Sequence, residues 1–456
     1  MTVVTLVYPY FRPRYDNSIF RLPPLGLGYI VSYLRQHGVT ANLVDCTFMS
    51  QKEAVEKVKK FEPTIVGVYS MFSMKQAALE IARQLDDSCE LLVAGGPLPT
   101  LCPEDFLEDF DVVAVGEGEK TMLELVDAVQ NSRSLSTVKG IVHKEQKGNP
   151  EATIIRTPPR ELIDDLDSFP FPARDQLNHQ AYKRHYQKSG YTTTSIITSR
   201  GCPFICDFCS RAVFGNKFRT RSAKNIVDEI ESVKTLGYER VWFADDCFTL
   251  SKKRLLNICK EIIERELHVD WECLSRVDTM DRETANKMKQ AGCVRVFFGL
   301  ESGNDAVLAL MKKQATVNQA NKAVMTVKST GIQIGAFFIL GYPGENNETV
   351  LDTIRFASTL PLDYLSFTMP YPIPGTSLYE RVKDEIEYED LNQPRHLSIS
   401  EHKLIYRSSF SESKLKFAIF KGMAQHHLRK KLGARGYWLL GKPFEILTDA
   451  AFRLLR

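Results

Sequence analysis

The chain has 456 residues, of which 43% are hydrophobic and 25% charged, the composition of an ordinary soluble globular protein. This length suffices for two or three domains of about 100–200 residues each. With 59 basic and 56 acidic side chains the formal net charge is +3, which excludes the concentrated basic face of a general nucleic-acid binder. No apolar run reaches the roughly 18 residues of a membrane span, and the first residues lack a signal peptide. We therefore expect a cytoplasmic protein.

The ten cysteines are unevenly placed along the chain. Three of them, Cys202, Cys206 and Cys209, fall within eight residues. In a chain without an export signal, clustered thiols favour metal binding over disulfides. The other seven stand singly, and we interpret them as small buried hydrophobic side chains: Cys46, Cys89, Cys102, Cys247, Cys259, Cys273 and Cys293.

Residues 1–135 alternate strand-like and helix-like segments. Short apolar runs predict strands at residues 3–7, 41–44, 65–69, 91–94 and 112–115. Apolar strands that alternate with helices predict a doubly wound, Rossmann-like parallel sheet covered on both faces. Two glycine-rich turns, Gly95-Gly96 and Gly116-Glu117, follow strand ends directly. In such sheets the ligand crevice lies at these carboxyl ends.

Residues 136–188 differ in character. The two short apolar segments 140–143 and 153–155 flank Gly148 and predict a hairpin. Prolines at positions 158, 159, 170 and 172 then indicate an extended connector. We interpret the whole segment as a linker between two domains.

Residues 189–378 form a second series of strands and helices. Strands are predicted at residues 195–198, 240–243, 271–274, 295–298, 335–340 and 364–369. Six units are fewer than the eight that close a (βα)8 barrel, so we expect an open, partial TIM barrel. Residues 379–456 have no strand signal but carry apolar residues at helical spacing among many basic ones. They predict a helical C-terminal region.

The clustered cysteines follow the first predicted barrel strand with the spacing C-x3-C-x2-C. Thiolates are the usual ligands of a [4Fe–4S] cluster, commonly four to a cluster. Three of them leave one iron without a protein ligand, and an open iron serves chemistry rather than simple electron transfer. Zinc is the alternative, but it takes four ligands, commonly as paired cysteines, and a second pair is missing from the sequence.

This motif makes residues 189–378 resemble the core of the radical S-adenosylmethionine (SAM) superfamily. Cys202, Cys206 and Cys209 match its cluster motif residue by residue, and Phe208 takes the aromatic position before the last cysteine. The resemblance implies a partial barrel of radical SAM type and a [4Fe–4S] cluster on these cysteines. It also implies that Phe208 packs near the SAM adenine, and that SAM is cleaved reductively to a 5'-deoxyadenosyl radical.

Other strand ends supply candidate SAM contacts. Arg276 carries a guanidinium that suits the SAM carboxylate, and Glu301 lies where the family places a polar residue for the ribose or amino group. Gly341 follows the fifth strand, where glycine lets the backbone approach a ligand closely. After the second strand the usual Gly-Gly-Glu of the family is replaced by Ala244-Asp245-Asp246, which makes Asp245 a candidate. An ordinary salt bridge at the barrel rim is the alternative for the charged residues.

The order of domains resembles the cobalamin-binding (B12-binding) class of radical SAM enzymes. The resemblance rests on residues 23–27, the two glycine turns and the proline-punctuated segment 167–172. It implies that cobalamin lies on the carboxyl edge of the first sheet, at Gly95, Gly96, Gly116 and Glu117. The chain lacks the Asp-x-His-x-x-Gly motif that donates a histidine to cobalt, which argues against histidine coordination more than against binding. An inherited fold without cobalamin is the alternative.

The resemblance implies first a cobalamin-dependent methyltransferase that acts on an unactivated carbon or phosphorus centre. The alternative is radical chemistry without methyl transfer, namely cyclisation, ring rearrangement or carbon–carbon bond formation on a porphyrin or lipid-like substrate. Methylthio transfer to tRNA shares the barrel, but the N-terminal cysteines do not match the contexts of its second cluster. A redox sensor is the non-enzymatic alternative.

Partners follow from the same hypothesis. We expect a small-molecule or lipid-like substrate, an electron donor such as flavodoxin or ferredoxin, and no nucleic acid. The basic, apolar C-terminal tail also raises the hypothesis of peripheral membrane contact, against the simpler hypothesis of a helical cap over the barrel.

Overall fold

A computed structural model describes residues 2–11, 21–145, 152–187, 190–386 and 404–455. Within these residues the strands build a seven-stranded sheet, a six-stranded sheet and one two-stranded ribbon. The strands are β1 (Val3–Tyr8), β2 (Thr40–Asp45), β3 (Ile65–Tyr69), β4 (Leu91–Gly95), β5 (Val112–Ala114), β6 (Ile141–Lys144), β7 (Ile154–Arg156), β8 (Thr193–Ile196), β9 (Ser199–Arg200), β10 (Arg219–Thr220), β11 (Arg240–Phe243), β12 (Asp270–Ser275), β13 (Cys293–Glu301), β14 (Gln333–Ile339) and β15 (Tyr364–Thr368).

Helices connect most of these strands. Many begin at a side chain that caps the first turn, as at Thr316, which exchanges hydrogen bonds with Gln319 in a capping box. The helices are α1 (Leu25–Gln36), α2 (Gln51–Lys59), α3 (Lys75–Leu85), α4 (Pro97–Leu101), α5 (Gly118–Gln130), α6 (His179–Tyr186), α7 (Ala223–Thr235), α8 (Lys252–Glu264), α9 (Arg282–Gln290), α10 (Asp305–Leu310), α11 (Val317–Lys328), α12 (Asn347–Thr359), α13 (Ser377–Val382), α14 (Glu412–Gly436) and α15 (Lys442–Leu454).

The first sheet has the strand order β2-β1-β3-β4-β5-β6-β7. Its first five strands pair in parallel. Helices α1 and α5 pack on one face and α2 and α3 on the other. Because both faces are buried, these strands are apolar at nearly every position. The predicted doubly wound sheet is therefore confirmed.

The predicted hairpin is present, but it is not part of a free linker. Strands β6 and β7 pair antiparallel with each other, and β6 pairs antiparallel with β5. The hairpin thus extends the first sheet at its β5 edge. Apolar patterning predicted two strands but not their partner, so the interpretation of the whole segment 136–188 as linker was wrong for the hairpin. The domain boundaries 1–135, 136–188, 189–378 and 379–456 otherwise stay predictions.

The second sheet consists of six parallel strands in the order β15-β14-β13-β12-β11-β8. Among the described residues β8 and β15 form its two edges, which makes it the open, partial barrel that the strand count predicted. The first strand ends at Ile196, two residues earlier than expected, because the Thr198 amide donates to the Asp245 carboxylate instead of a neighbouring strand.

The C-terminal region is helical where it is described, as predicted, and residues 387–403 lie outside the described residues. Helix α14 packs against α12 and β15 and breaks at Gly433, whose φ is +66°. A π-helical turn, Tyr437–Gly441, leads into α15. None of the described helices combines the length and the apolarity that crossing a bilayer requires.

Candidate active site

The carboxyl ends of both sheets open onto one cavity of about 570 Å³. From the first sheet it is lined by the ends of β1, β3, β4 and β5, and from the second by the segments that follow β8 and β11. Residues 210–214 complete the wall, which is mostly apolar. The strand topology alone brings these parts together, because parallel strands end at the same edge of a sheet.

All four residues that were predicted to contact cobalamin line this cavity: Gly95, Gly96, Gly116 and Glu117. Gly96 has φ of +106°, and a Cβ there would lie 2.7 Å from the Ser70 carbonyl oxygen. Glycine is therefore required at this position, where the chain leaves β4 and passes close to the end of β3. Gly116 has φ of +84°, and its amide donates to Thr100 Oγ1 at 3.1 Å. These turns give the cavity a smooth backbone wall.

Glu117 also forms buried ion pairs, which the sequence did not predict. Its Oε1 accepts from Arg200 Nη1 at 2.7 Å and its Oε2 from Arg219 Nη1 at 2.8 Å. Arg200 Nη2 also donates to Glu119 at 2.6 Å. All four side chains are buried, and the two carboxylates raise the pKa of Arg200. Both oxygens of Glu117 are engaged, and it therefore ties the first sheet to β9 and β10, while its contact with a cofactor stays a prediction.

The cluster motif lies on the cysteine loop, residues 201–218, which leaves β9 and returns into β10. Gly201 has φ of +82°, and a Cβ there would clash with the Lys217 carbonyl oxygen. The loop therefore needs glycine directly before Cys202. The Cys202 amide donates to the Gly215 carbonyl across the base of the loop.

Asp207, between the second and third cysteines, anchors the cysteine loop to the barrel. Its buried carboxylate accepts from the Tyr342 hydroxyl at 2.7 Å and from Arg381 Nη2 at 2.6 Å. Its backbone amide donates to the Met311 carbonyl, and its carbonyl accepts from the Leu378 amide. Four contacts from three different segments thus fix this residue, which the sequence motif did not single out.

The three motif cysteines are unpaired thiols, partly or fully exposed. Burial raises the pKa of Cys209 to about 11 and also raises that of Cys202. The loop alone therefore favours neutral thiols, and the charge of bound iron would supply the driving force for thiolate formation.

The donor set fits an iron–sulfur cluster better than zinc. Among the described residues no three cysteine, histidine or acidic side chains converge on a single metal ion. Zinc requires such convergence, whereas the cysteines of a [4Fe–4S] cluster reach different irons and stand further apart. Three soft sulfur donors on one loop are the ligand type that such a cluster takes.

Arg276 and Glu301 both lie beside the cysteine loop, but each already has a protein partner. Arg276 binds Asp278 through two hydrogen bonds of 2.9 Å, and its guanidinium stacks 3.4 Å from the centre of the Phe204 ring. Glu301 accepts from Lys313 at 2.8 Å and has a left-handed backbone with φ of +65°. At both positions the structure therefore contains a salt bridge, which was the alternative to a SAM contact.

Lys313 is a residue of the site that sequence reasoning missed. It is 8% exposed, and its ammonium lies 5.9 Å from the centre of the Phe208 ring. Phe208 itself packs among the apolar side chains of Met311 and Tyr342. Lys313 follows α10 in an irregular segment without a recognisable motif, so the sequence carried no signal for it.

Asp245 has a structural role in addition to its predicted ligand contact, which stays a prediction. Its Oδ1 accepts from the amides of Thr198 (2.6 Å) and Ser199 (3.1 Å), and its Oδ2 accepts from both of their hydroxyls. These bonds fix the backbone that leads into the cysteine loop. The neighbouring Asp246 lines the cavity instead, and burial raises its pKa.

Gly341 lies where the barrel meets the C-terminal helix α14. Its φ is +84°, and a Cβ there would lie 2.5 Å from the side chain of Leu415 in α14. Its amide donates to Glu345 Oε2 at 2.8 Å. Glycine at this position therefore admits the C-terminal helix, and close approach of a ligand to Gly341 stays a prediction.

Two family profiles match the chain. Residues 196–357 match that of the radical SAM superfamily, and residues 16–126 match that of the B12 binding domain. The chain is 36% identical over 384 residues to an uncharacterized methyltransferase of Pyrococcus horikoshii, with 81% of each chain covered. It is 30% identical over 405 residues to the anaerobic magnesium-protoporphyrin IX monomethyl ester cyclase of Rubrivivax gelatinosus, which covers 86% of this chain and 72% of the cyclase.

Solved structures share the fold. The radical SAM methyltransferase TsrM from Kitasatospora setae, with cobalamin and a [4Fe–4S] cluster bound, superposes with a TM-score of 0.71 at 21% identity, over 84% of this chain and 75% of TsrM. The cobalamin-dependent enzyme OxsB with aqua-cobalamin gives a TM-score of 0.76 at 18% identity, over 99% of this chain and 72% of OxsB. Together with the two profiles and the curated relatives, the cysteine loop and the cavity between the sheets make this chain a member of the cobalamin-binding class of radical SAM enzymes.

Proposed function

We propose that the chain is a cobalamin-dependent radical SAM methyltransferase that acts on an unactivated carbon or phosphorus centre. One observation carries the proposal: a single cavity of about 570 Å³ is bounded by the glycine turns of the first sheet and by residues next to the cysteine loop. Radical generation and methyl donation have to meet at one substrate atom. A cavity shared by both cofactor regions supports that meeting.

The residues divide into binding and positioning groups. One-electron cleavage of SAM and carriage of a methyl group are the chemistry that the cluster and cobalamin supply when bound. Cys202, Cys206 and Cys209 would hold the cluster. Gly95, Gly96 and Gly116 give a backbone surface that a flat macrocycle can approach closely.

SAM would bind between the cysteine loop and the ends of β12 and β13. In this proposal Phe208 packs near the adenine, and Arg276 offers its Nη1 nitrogen to the SAM carboxylate while Asp278 orients the guanidinium. Glu301 and Lys313 then act as a buried pair, in which either partner can turn toward the ribose or the amino group. Asp246, which lines the cavity, would contact SAM beside Asp245, the candidate that the sequence named.

A second candidate function is radical chemistry without methyl transfer. The 30% identity to the magnesium-protoporphyrin monomethyl ester cyclase favours it, because that enzyme closes a ring. The relatives named as methyltransferases, at 36% and 28% identity, favour methyl transfer.

Labelled SAM separates the two functions. The holoenzyme, purified without oxygen and reduced, is incubated with methyl-labelled SAM and a panel of small-molecule and lipid-like candidates. We expect 5'-deoxyadenosine together with label in the product. Deoxyadenosine with an unlabelled product would replace the methyltransferase by the cyclase-type function, and absence of deoxyadenosine would contradict both.

The cellular setting is part of the same proposal. We propose a cytoplasmic enzyme that is reduced by a flavodoxin or ferredoxin and binds no nucleic acid. Its described cysteines are all free thiols, which supports a reducing compartment. A net charge of +3 over 456 residues supports the absence of nucleic-acid binding.

A further inference from the structure

The last helix turns an apolar face to solvent. This apolar tail face consists of Trp438, Leu439, Leu440, Ile446, Leu447 and Leu454, whose exposed fractions run from 59% for Ile446 to 83% for Leu454. Within α15, exposed Pro443, Ala450 and Ala451 fill the positions between them at helical spacing. The face runs for about 25 Å along the helix.

The polar side of α15 is buried, which reverses the usual arrangement of a surface helix. Lys421 of α14 is fully buried, and its Nζ lies 2.8 Å from Asp449 Oδ1. Arg355 of α12 lies 3.3 Å from Asp449 Oδ2, and the Tyr437 hydroxyl donates to Glu445 at 2.9 Å. Rotation of α15 to bury its leucines would leave these charges without partners, at a large cost. The outward orientation of the apolar tail face is therefore built into the fold.

The surroundings of this face are cationic. Lys430, Lys431, Arg435 and Lys442, here called the cationic rim, are exposed; Arg435 and Lys442 flank residues 438–440 in the sequence, and Lys430 and Lys431 precede the break at Gly433. Within residues 404–455 the acidic side chains are Glu412, Glu445 and Asp449, of which the last two are buried. Glu412 is ion-paired with Lys416 at 2.7 Å. Glu445 pairs with Lys442 of the rim at 2.7 Å, which leaves Lys430, Lys431 and Arg435 as the rim cations that no acidic side chain within residues 404–455 offsets.

We propose that the apolar tail face and the cationic rim dock this protein on an anionic lipid bilayer. A helix with apolar side chains on one side and cations beside them binds in the plane of a membrane interface. Trp438 suits the headgroup region, and the rim complements anionic headgroups. A second copy of the chain is a poorer occupant, because a two-fold contact would bring both cationic rims together.

Vesicle sedimentation tests the proposal with the full-length protein. The probe is phosphatidylcholine vesicles with or without about one third of phosphatidylglycerol, at low and high salt. We expect sedimentation with the anionic vesicles, and weaker binding at high salt because salt screens the rim. The double variant Ile446→Glu/Leu447→Glu should weaken binding by about tenfold or more, and Lys430→Glu/Lys431→Glu should weaken it through charge alone.

A matched control for the single variant Leu447→Glu carries the same charge change elsewhere. Met325 in α11 is 51% exposed, so Met325→Glu should bind vesicles like the unmodified protein. Absence of sedimentation with anionic vesicles, or equal sedimentation of the tail variants, would overturn the proposal. So would a dimer in light scattering that Leu447→Glu dissociates while vesicle binding is absent. Vesicle binding is measured without SAM, so this result is independent of the proposed methyl transfer.

Discussion

Glu117 and Arg200 form a buried ion pair of 2.7 Å that joins the first sheet to the strand before the cysteine loop. Arg200 stands two positions before Cys202, and Glu117 stands at the start of α5 below the glycine turn. The distance between the two cofactor regions is therefore set by charged side chains, which are also held by Glu119 and Arg219.

The first prediction concerns this pair. Glu117→Gln leaves Arg200 and Arg219 with less compensating charge in a buried site, so we expect a loss of about 3–5 kcal/mol in the free energy of unfolding. Denaturant unfolding measures the loss. Glu124→Gln is the control, because Glu124 pairs with Arg160 but its side chain is 42% exposed, and it should cost about 1 kcal/mol or less. Equal effects would contradict the structural role of Glu117.

The second prediction concerns the cluster. Cys206→Ala should lower the iron content well below the about four irons per chain of a [4Fe–4S] protein and abolish 5'-deoxyadenosine formation. Iron analysis and the absorption spectrum of the anaerobic protein measure the change. Cys102→Ala is the control, since Cys102 is half-buried in the first sheet domain and should leave both measurements unchanged. Full iron content in Cys206→Ala would exclude the cysteine loop as the cluster site.

The third prediction separates two adjacent carboxylates. Asp245→Ala removes four hydrogen-bond acceptor contacts to Thr198 and Ser199 and should destabilise the fold by about 2–4 kcal/mol. Asp246→Asn removes a negative charge that is exposed toward the cavity, so it should leave stability within about 1 kcal/mol while it changes SAM or cobalamin affinity. Thermal unfolding and equilibrium binding measure the two effects. The reverse pattern would restore Asp245 as the ligand contact.

The fourth prediction concerns the contact between barrel and tail. Gly341→Ala introduces a Cβ 2.5 Å from Leu415 at a φ of +84°, so we expect a loss of about 1–3 kcal/mol. Leu415→Ala should relieve the collision but not the backbone strain. A double-mutant cycle of unfolding free energies measures the coupling. Strict additivity of the two substitutions would contradict the contact.

The fifth prediction concerns pH. Burial raises the pKa of Glu345 to about 7; its Oε2 accepts from the amides of Gly341 and Tyr342, while its Oε1 is buried without a partner among the described residues. The folded state therefore holds a proton that the unfolded chain releases near pH 4.5. Its stabilising effect is full below that pH and is lost as the pH rises to about 7, at a cost of about 3 kcal/mol.

Glu345→Gln checks this prediction, because the amide imitates the protonated carboxyl. Unfolding is measured from pH 5 to pH 8 for both proteins. The variant should gain stability relative to the unmodified protein as the pH rises. A difference that stays constant with pH would show that Glu345 does not titrate in this range.

The barrel was predictable because its strands are buried on both faces and appear as continuous apolar runs. The same signal could not assign the hairpin β6–β7 to the first sheet, since an apolar run does not name its partner. The sequence also could not predict in which direction a side chain points at the end of a strand. Asp245 and Asp246 differ by one position, and one position decides which of two carboxylates faces the cavity.

The motif cysteines were predictable because their spacing is a local property. The residues that contact and position these cysteines were not predictable, because they come from distant parts of the chain. Lys313 reaches the site from an irregular segment, and Arg200 acts through Glu117, which lies 83 positions earlier in the sequence. Such pairs depend on packing that no single local pattern encodes.

The hydrogen bonds from Arg381 and Leu378 to Asp207 limit how far this protein can be shortened from its C-terminal end. Both residues lie in α13, beyond the final strand of the barrel. A fragment that stops at that strand would keep every cysteine. It would lose two of the four hydrogen bonds that fix Asp207 between Cys206 and Cys209. The smallest unit able to assemble its metal centre therefore extends past Arg381.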